Sequence, residues 1–349
     1  MDDRGVVVPR PVADAYYQDL DARNLYPIWE VIKDLVPLQP RTPCMAHLWR
    51  YADIRPLMMK TREMIDVKGA ERRALVLENP GIRGRCAITQ TLYASYQMVL
   101  PGEVAANHRH VPTALRFVIE GSGAYTAVAG EKAIMRPGDL VITPNWAWHD
   151  HGNESDEPIV WLDGLDVPLV ATLDTCFKEY ADKDSQTLTR PAGDSLARFG
   201  QGLVPVDYRA PDLASPVFHF PYDRTREALE TMRRTSEWDP YHGLKMRFVN
   251  PSNGDHVIPT IGCFMQLLPK GMTTLPYRST DGTVYVGVEG RGRTFIGETA
   301  IEWSAHDVFV VPSWQPHHHV AEDDAVLFSF SDRPVHEKLG MWREQRGNA

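Results

Sequence analysis

The stretch 102–128, GEVAANHRHVPTALRFVIEGSGAYTAV, followed at 137–153 by PGDLVITPNWAWHDHGN, decides how this chain is read. Short runs rich in Val, Ile, Thr and aromatics are cut there by Gly, Pro and Asn, the pattern of short strands joined by tight turns. His108 and His110 are two residues apart in an extended context, so both rings point to one face. A third imidazole, His149, follows at the end of the next strand pair. Imidazoles on neighbouring strands of a small barrel can converge on one divalent metal. Any one of these histidines alone reads more readily as a surface or core residue, and it is the joint spacing that carries the metal reading.

Working outward, the same patterning begins near residue 85 with CAITQTLYASYQMVL and continues to PIVWLDGL, which ends at residue 165. It then recurs. FVIEGSGAYTAV (117–128) resembles VGVEGRGRTFI (286–296), and PGDLVITPNWAWHDH (137–151) resembles AHDVFVVPSWQPHHH (305–319). The offset is 169 residues between Glu120 and Glu289 and 168 between Asp139 and Asp307. This is an internal duplication of one β unit. The expected architecture is all-β, two barrels with added helices. Residues 1–84 form an N-terminal helical extension, 85–170 the first barrel with the metal site, and 171–255 a connector with a helix at 225–234. Residues 256–332 form the second barrel and 333–349 a closing helix.

The helical expectations rest on local signals. Trp29, Ile32 and Leu35 recur at helical spacing within 12–38, behind Pro27, and a second helix is expected over 52–65. In the tail, Asp332 is the expected cap and Pro334 suits a first turn. Val335, Leu339 and Trp342 would share one apolar face. In the second barrel, Tyr277 and Ser279 stand opposite His108 and His110, and only His317 aligns with a ligand, His149. One imidazole holds a metal weakly, so the second barrel reads as structural and the run His317, His318, His319 as an adventitious metal binder at most.

Bulk composition narrows the classes. With 349 residues and 43% hydrophobic content there is material for two cores, and no apolar run reaches the ~20 residues that span a bilayer. The opening MDDRGVVVPRP has no apolar core of a signal peptide, so a soluble, cytoplasmic protein is expected. Four scattered cysteines read as free thiols. The net charge of −9 argues against nucleic acid as a partner, while local arginines leave an anionic small molecule open.

Three neutral imidazoles leave a divalent ion its full charge, so zinc hydrolysis, copper chemistry and iron oxygen activation all remain open from the ligands alone. The arginines add information. Arg116 shares the inward face of His108 and His110 by alternation, and AERRALVLENPG upstream carries Arg72 and Arg73. A guanidinium grips a carboxylate by a two-pronged fork. Tyr93, Ser95 and Gln97 alternate along one strand and are candidate pocket lining, with ordinary strand packing as the equal alternative.

Gly102, His108 and His110 resemble the first cupin motif, and Gly138, Pro144, His149 and Asn153 the second. Two departures stand out: Ala114 and Leu115 replace the usual glutamate ligand, which resembles the three-histidine variant, and Trp146 stands where the second motif has Gly. Over nearly the whole chain, ERRALVLENPG, the HRH block with LRFVIEGSG, TPNWAWHDHGN, WLDGLD and VPSWQPHHH resemble the gentisate and salicylate 1,2-dioxygenase family. That resemblance implies a bicupin fold, iron(II), often a homotetramer, and cleavage of a small aromatic acid by O2. Gentisate would chelate the metal through its carboxylate and ortho hydroxyl. The bond between the carbons bearing those groups would open to give maleylpyruvate. The resemblance further implies that His108, His110 and His149 hold the metal and that Arg72 and Arg116 position the carboxylate. His151 would serve as acid/base, Asp163 would accept from the para hydroxyl, and Tyr93, Ser95 and Gln97 would line the pocket. In salicylate-cleaving members the positions matching Tyr93 and Ser95 resemble Trp and Gly, so this pair favours gentisate. The alternatives are salicylate or 1-hydroxy-2-naphthoate cleavage by the same fold and, in another class, a non-catalytic storage or sugar-sensing bicupin. An oxalate-type decarboxylase would favour the missing glutamate.

Overall fold

Along the strand Tyr93–Val99, Ser95 and Gln97 alternate with Ala94, Tyr96 and Met98, yet both sets are buried. The alternation is therefore of polarity, not of exposure. The apolar set belongs to the main core cluster, which also takes in Phe328 and Phe330 of the second repeat, while the polar set faces the other side of the sheet. This double burial is what a barrel gives when its outer face is covered by a second barrel.

In the computed structural model, residues 10–65, 72–210 and 213–347 are described, and they fall into two units, 1–41 and 42–349. Within the second unit each repeat is a six-stranded sheet facing a five-stranded one. In the first repeat the larger sheet runs His219–Phe220, Leu140–Thr143, Ala114–Glu120, Ile159–Leu165, Tyr93–Val99, Arg73–Val76. The smaller runs Lys178–Tyr180, Val104–His110, His149–Asn153, Ala124–Val128, Glu131–Ile134. The second repeat reproduces this order with Val308–Val311, Thr283–Glu289, Ala325–Ser331 and Gly262–Leu268 at the centre of its larger sheet. The two larger sheets pack back to back. Phe117 stacks on Phe328 with centroids 4.2 Å apart, and Tyr96 Oη donates to the carbonyl of His306 at 2.6 Å.

The flanking segments are woven into the barrels more than the sequence suggested. The expected helical extension supplies a strand to each: His47–Trp49 joins the second barrel against Val308–Val311, and Arg73–Val76 joins the first against Tyr93–Val99. The connector adds Lys178–Tyr180 and His219–Phe220 to the first barrel and Leu244–Arg247 to the second. Its helix covers Tyr222–Thr235, and the helix expected over 52–65 covers Tyr51–Met64.

The closing helix is the clearest correction. It covers only Arg333–Lys338, and Glu344–Arg346 is a strand paired with Tyr277–Ser279. Gly340 adopts a left-handed φ of 69° just past the helix end, a conformation that terminates helices. Asp332 makes no capping bond, because its carboxylate instead accepts from Thr91 Oγ1 and the Gly282 N–H and contacts His336. Trp342 leaves the expected apolar face and lies under the Arg333 guanidinium, 4.1 Å from its ring centre.

In the first unit the expected helix over 12–38 is broken into Arg10–Asp21, a 3-10 turn Ile28–Glu30 and Ile32–Leu35. Asn24 turns left-handed (φ 55°) and Pro27 has no N–H to continue the ladder. Within this unit Tyr17 Oη donates to Glu30 at 2.8 Å and accepts from the Trp29 indole at 3.3 Å. Residues 1–9, 66–71, 211–212 and 348–349, on which parts of the expected segments fall, lie outside the described residues.

Candidate metal centre

His108 and His110 alternate on the strand Val104–His110, and His149 opens the neighbouring strand His149–Asn153, directly opposite His108 in register. Each Nδ1 lies close to a backbone carbonyl: His108 to Ala106 at 2.7 Å, His110 to Pro112 at 2.6 Å, His149 to Ala147 at 2.8 Å. A carbonyl accepts only, so each Nδ1 carries the ring hydrogen and each Nε2 presents a lone pair. The three ligand atoms lie within 4.8 Å of one another. His110 and His149 offer no protein partner to Nε2, although both atoms are buried. Burial, followed by neighbouring positive groups, lowers the affinity of all three for protons, to about 3 for His108 and about 4 for His110. These are neutral imidazoles whose Nε2 lone pairs are gathered in one place, two of them with no protein partner, a three-histidine metal-binding site.

The left-handed backbone of Trp146 (φ 60°) explains why the second motif ordinarily has Gly at that place. The conformation is retained with a bulky residue, and Trp314 repeats it in the second barrel at φ 62°. Trp146 N–H donates to the carbonyl of His110, tying the turn before His149 to the strand that carries the other two ligands. The Arg109 guanidinium lies over the rings of Trp146 and Trp148, 4.5 and 4.6 Å from their centres. This stacking offsets some of the strain of the turn.

Arg116 is buried on the strand Ala114–Glu120. It donates through Nη1 to Thr143 Oγ1 at 2.8 Å, and its Nε is 3.6 Å from Asp163 Oδ1. Asp163 also accepts from the Trp161 indole at 3.0 Å. Across the sheet, Ser95, Asp163 and Arg116 sit in one register row, with Gln97 and Trp161 in the next on that side. Burial lowers the proton affinity of Arg116 to about 10 and raises that of Asp163, with each partly restored by the other's charge. His151 is buried beside the triad, 5.5 Å ring to ring from His149, and its proton affinity is pushed well below normal by burial and then by Arg116.

A cavity of about 630 Å³ opens onto the triad, bordered by Arg72, His108, His110, Leu165, Phe177 and Tyr180. The Arg72 guanidinium lies directly against His108 Nε2. Arg73, the other member of that pair, points elsewhere and is bound by Glu103 and the Ile65 carbonyl. His149, Arg116, His151 and Asp163 are buried and do not border the cavity. Nor do Tyr93, Ser95 and Gln97, although Ser95 Oγ and Gln97 Oε1 are buried without partners. Phe177 and Tyr180 were not expected in the site. Tyr180 arrives on the connector strand Lys178–Tyr180, which pairs with 108–110, and Phe177 immediately precedes it; nothing local in their sequence announces that pairing.

The second barrel keeps the frame without the site. Tyr277 faces His317 in register as His108 faces His149, but the Tyr277 hydroxyl donates to Glu344. His317 Nε2 lies 3.5 Å from the Tyr285 hydroxyl, and Tyr285 occupies the place of Arg116. Among the described residues, the group formed by His108, His110 and His149 has ligand geometry and the run 317–319 does not.

A cupin domain family matches residues 95–166. The chain is 52% identical to gentisate 1,2-dioxygenase 1 of Aquipseudomonas alcaligenes over 331 residues, covering 95% of each protein. It is 37% identical to the 5-aminosalicylate 1,2-dioxygenase of a Comamonas species, over 95% of this chain and 90% of the other. Among solved structures, salicylate 1,2-dioxygenase from Pseudoaminobacter salicylatoxidans, as its adduct with gentisate, superposes with a TM-score of 0.93 at 32% identity. That match covers 99% of this chain and 97% of that one.

Proposed function

The chain belongs to the gentisate 1,2-dioxygenase family, and from that premise we propose that it opens the ring of gentisate with O2, yielding maleylpyruvate, on an iron(II) centre. The observation that carries the reading is the set of three lone pairs converging at a cavity bordered by Arg72. Iron(II), when bound, supplies the one-electron chemistry that lets O2 react with a closed-shell ring.

The chain's own residues account for the rest. His108, His110 and His149 would hold the metal by Nε2, and three neutral ligands would leave its charge uncancelled. Arg72 reaches the substrate carboxylate from the cavity wall, and Arg116 adds a second positive charge from beneath. His151 accepts and returns the proton of the ortho hydroxyl. Asp163 is the assigned acceptor for the para hydroxyl, and Tyr93, Ser95 and Gln97 stand across the sheet from Leu165, Asp163 and Trp161 without bordering the cavity. A cavity of about 630 Å³ suits a single-ring acid with O2 beside it.

Anaerobic reconstitution with iron(II), then addition of O2 and each of a panel of hydroxybenzoates, tests the reading. Gentisate should consume one O2 per ring and give the ring-fission absorbance. No uptake with any hydroxybenzoate would remove it.

A homo-oligomer, a tetramer by family resemblance, is supported by the apolar side chains exposed in the first unit, among them Leu25, Tyr26, Leu35, Val36 and Leu38. Light scattering after gel filtration should give a mass near four chains. A cytoplasmic location accords with four free cysteines, and no helix of the described residues is long and apolar enough to cross a membrane.

A further inference from the structure

We propose that Thr126 and Met135 are positioning residues that select the tautomer of His151, so that its Nε2 presents a lone pair to the metal centre. The inference rests on the acid/base role proposed above for His151.

His151 Nδ1 lies 2.9 Å from Thr126 Oγ1, and that hydroxyl lies 3.4 Å from Met135 Sδ. All three residues are fully buried. A hydroxyl has one proton, a thioether only accepts, and a neutral imidazole carries one hydrogen on one of its two nitrogens. The thioether offers the Thr126 proton an acceptor other than the ring, which leaves the oxygen to accept from an Nδ1–H. Nδ1 then carries the hydrogen and Nε2 the lone pair. Electrostatics points the same way. Nε2 is buried without a protein partner, and Arg116 is the strongest charged influence on the ring. A lone pair is stabilised by a nearby guanidinium and by the triad's cation, and an N–H dipole is not.

The second barrel shows the arrangement inverted. His319 Nδ1 lies 2.8 Å from Thr294 Oγ1, the same pair displaced by 168 residues. The residue at the place of Met135 is Trp303, whose indole N–H donates to Thr294 Oγ1 at 2.9 Å. An indole only donates, so the Thr294 proton goes to His319 Nδ1, and the hydrogen of that ring moves to Nε2. One duplicated Thr–His pair is thus set oppositely by an acceptor in the barrel that keeps the triad and a donor in the barrel that lacks it.

The test first reads the His151 ring in the metal-free protein by nitrogen NMR. The wild type should carry its hydrogen on Nδ1 there, and a wild-type hydrogen on Nε2 would overturn the inference. Next, kcat, KM for gentisate and iron content are measured together in the iron-loaded enzyme. Thr126→Val should lower kcat roughly tenfold, the scale of one hydrogen bond misplaced in a transition state, with KM and iron content within about twofold. Thr126→Ser should restore most of kcat. Met135→Leu keeps the packing and removes the acceptor, so it should lower kcat several-fold with KM and iron unchanged. Thr294→Val, a matching lesion in the other barrel, should leave kcat at the wild-type value. Wild-type kcat in both Thr126→Val and Met135→Leu would overturn the inference, as would an equal loss in Thr294→Val. The role of His151 itself is read from His151→Gln. Full turnover there removes the acid/base reading, whereas loss there with none in the Thr126 and Met135 variants removes the positioning inference alone.

Discussion

Asp166, at the end of the last strand of the first barrel, accepts a hydrogen bond from Thr260 Oγ1 at 2.5 Å, at the entrance to the first central strand of the second. The relation is reciprocated: Asp332, just past the last strand of the second barrel, accepts from Thr91 Oγ1 at 2.7 Å, at the entrance to the first. Asp166 also takes the N–H and hydroxyl of Thr113, at 2.8 and 2.9 Å, in the turn that follows His110. One buried carboxylate therefore ties the two barrels together and fixes the turn next to a metal ligand.

That network has a measurable worth. Asp166→Ala leaves the buried Thr113 N–H without its acceptor and the Thr113 and half-buried Thr260 hydroxyls with only each other, at a cost on the order of 2 kcal/mol. Calorimetry should show a lowered Tm, and Asp166→Asn, which retains an acceptor oxygen, a smaller loss. An unchanged Tm in Asp166→Ala would show that the clasp contributes nothing.

Metal should load in the first barrel only. Three imidazole lone pairs meet there, while at the matching place in the second barrel Tyr277 is committed to Glu344 and His317 stands beside Tyr285. Elemental analysis should find about one tightly held iron per chain, since a lone imidazole binds weakly, and His317→Ala should leave that content unchanged. A second iron per chain that disappears in His317→Ala would contradict this.

His108→Ala, His110→Ala and His149→Ala should each abolish turnover through loss of iron while the fold survives. The main apolar core is shared across the two larger sheets, and the three imidazoles carry polar rather than core contacts. Far-UV circular dichroism should match the wild type while metal analysis shows depletion. Full iron content with full turnover in any one variant would remove that residue from the ligand set.

The triad was legible in the sequence because its logic is local. An H-x-H alternation puts two rings on one face, and a duplicated block shows which copy lost them. What was illegible depends on pairing between distant strands. The Arg116–Asp163 contact joins residues 47 apart, and Phe177 and Tyr180 reach the cavity at a connector strand, Lys178–Tyr180, that local patterning did not reveal. The edge strands His47–Trp49 and Arg73–Val76 read as parts of a helical extension because strands of three or four residues carry too little periodicity to announce themselves. The closing helix failed for a related reason: apolar spacing continued past Gly340, but the backbone turned left-handed there and Trp342 found the Arg333 guanidinium instead.

Substrate choice is the sharpest remaining test, and the structure changes how it is run. Both Arg116 and Asp163 were candidate substrate contacts, yet they face each other in the protein, so removing either leaves a buried charge unbalanced. Carboxylate capture is therefore better probed at Arg72, on the cavity wall. Arg72→Gln should weaken gentisate and salicylate turnover alike, by roughly one to two decades in kcat/KM, the ~1.5–3 kcal/mol of a charge-assisted contact. Asp163 is better probed with Asn, which keeps the shape and removes the charge. The para hydroxyl separates the two acids, so Asp163→Asn should penalise gentisate well beyond salicylate. Any damage through Arg116 falls on both substrates and cancels in the ratio. Steady-state kinetics on both acids reads that ratio directly. Equal losses would take Asp163 out of the para-hydroxyl role and leave it as the counter-charge of Arg116. Faster wild-type turnover of salicylate than of gentisate would sink the gentisate assignment while leaving the ring-cleaving chemistry in place.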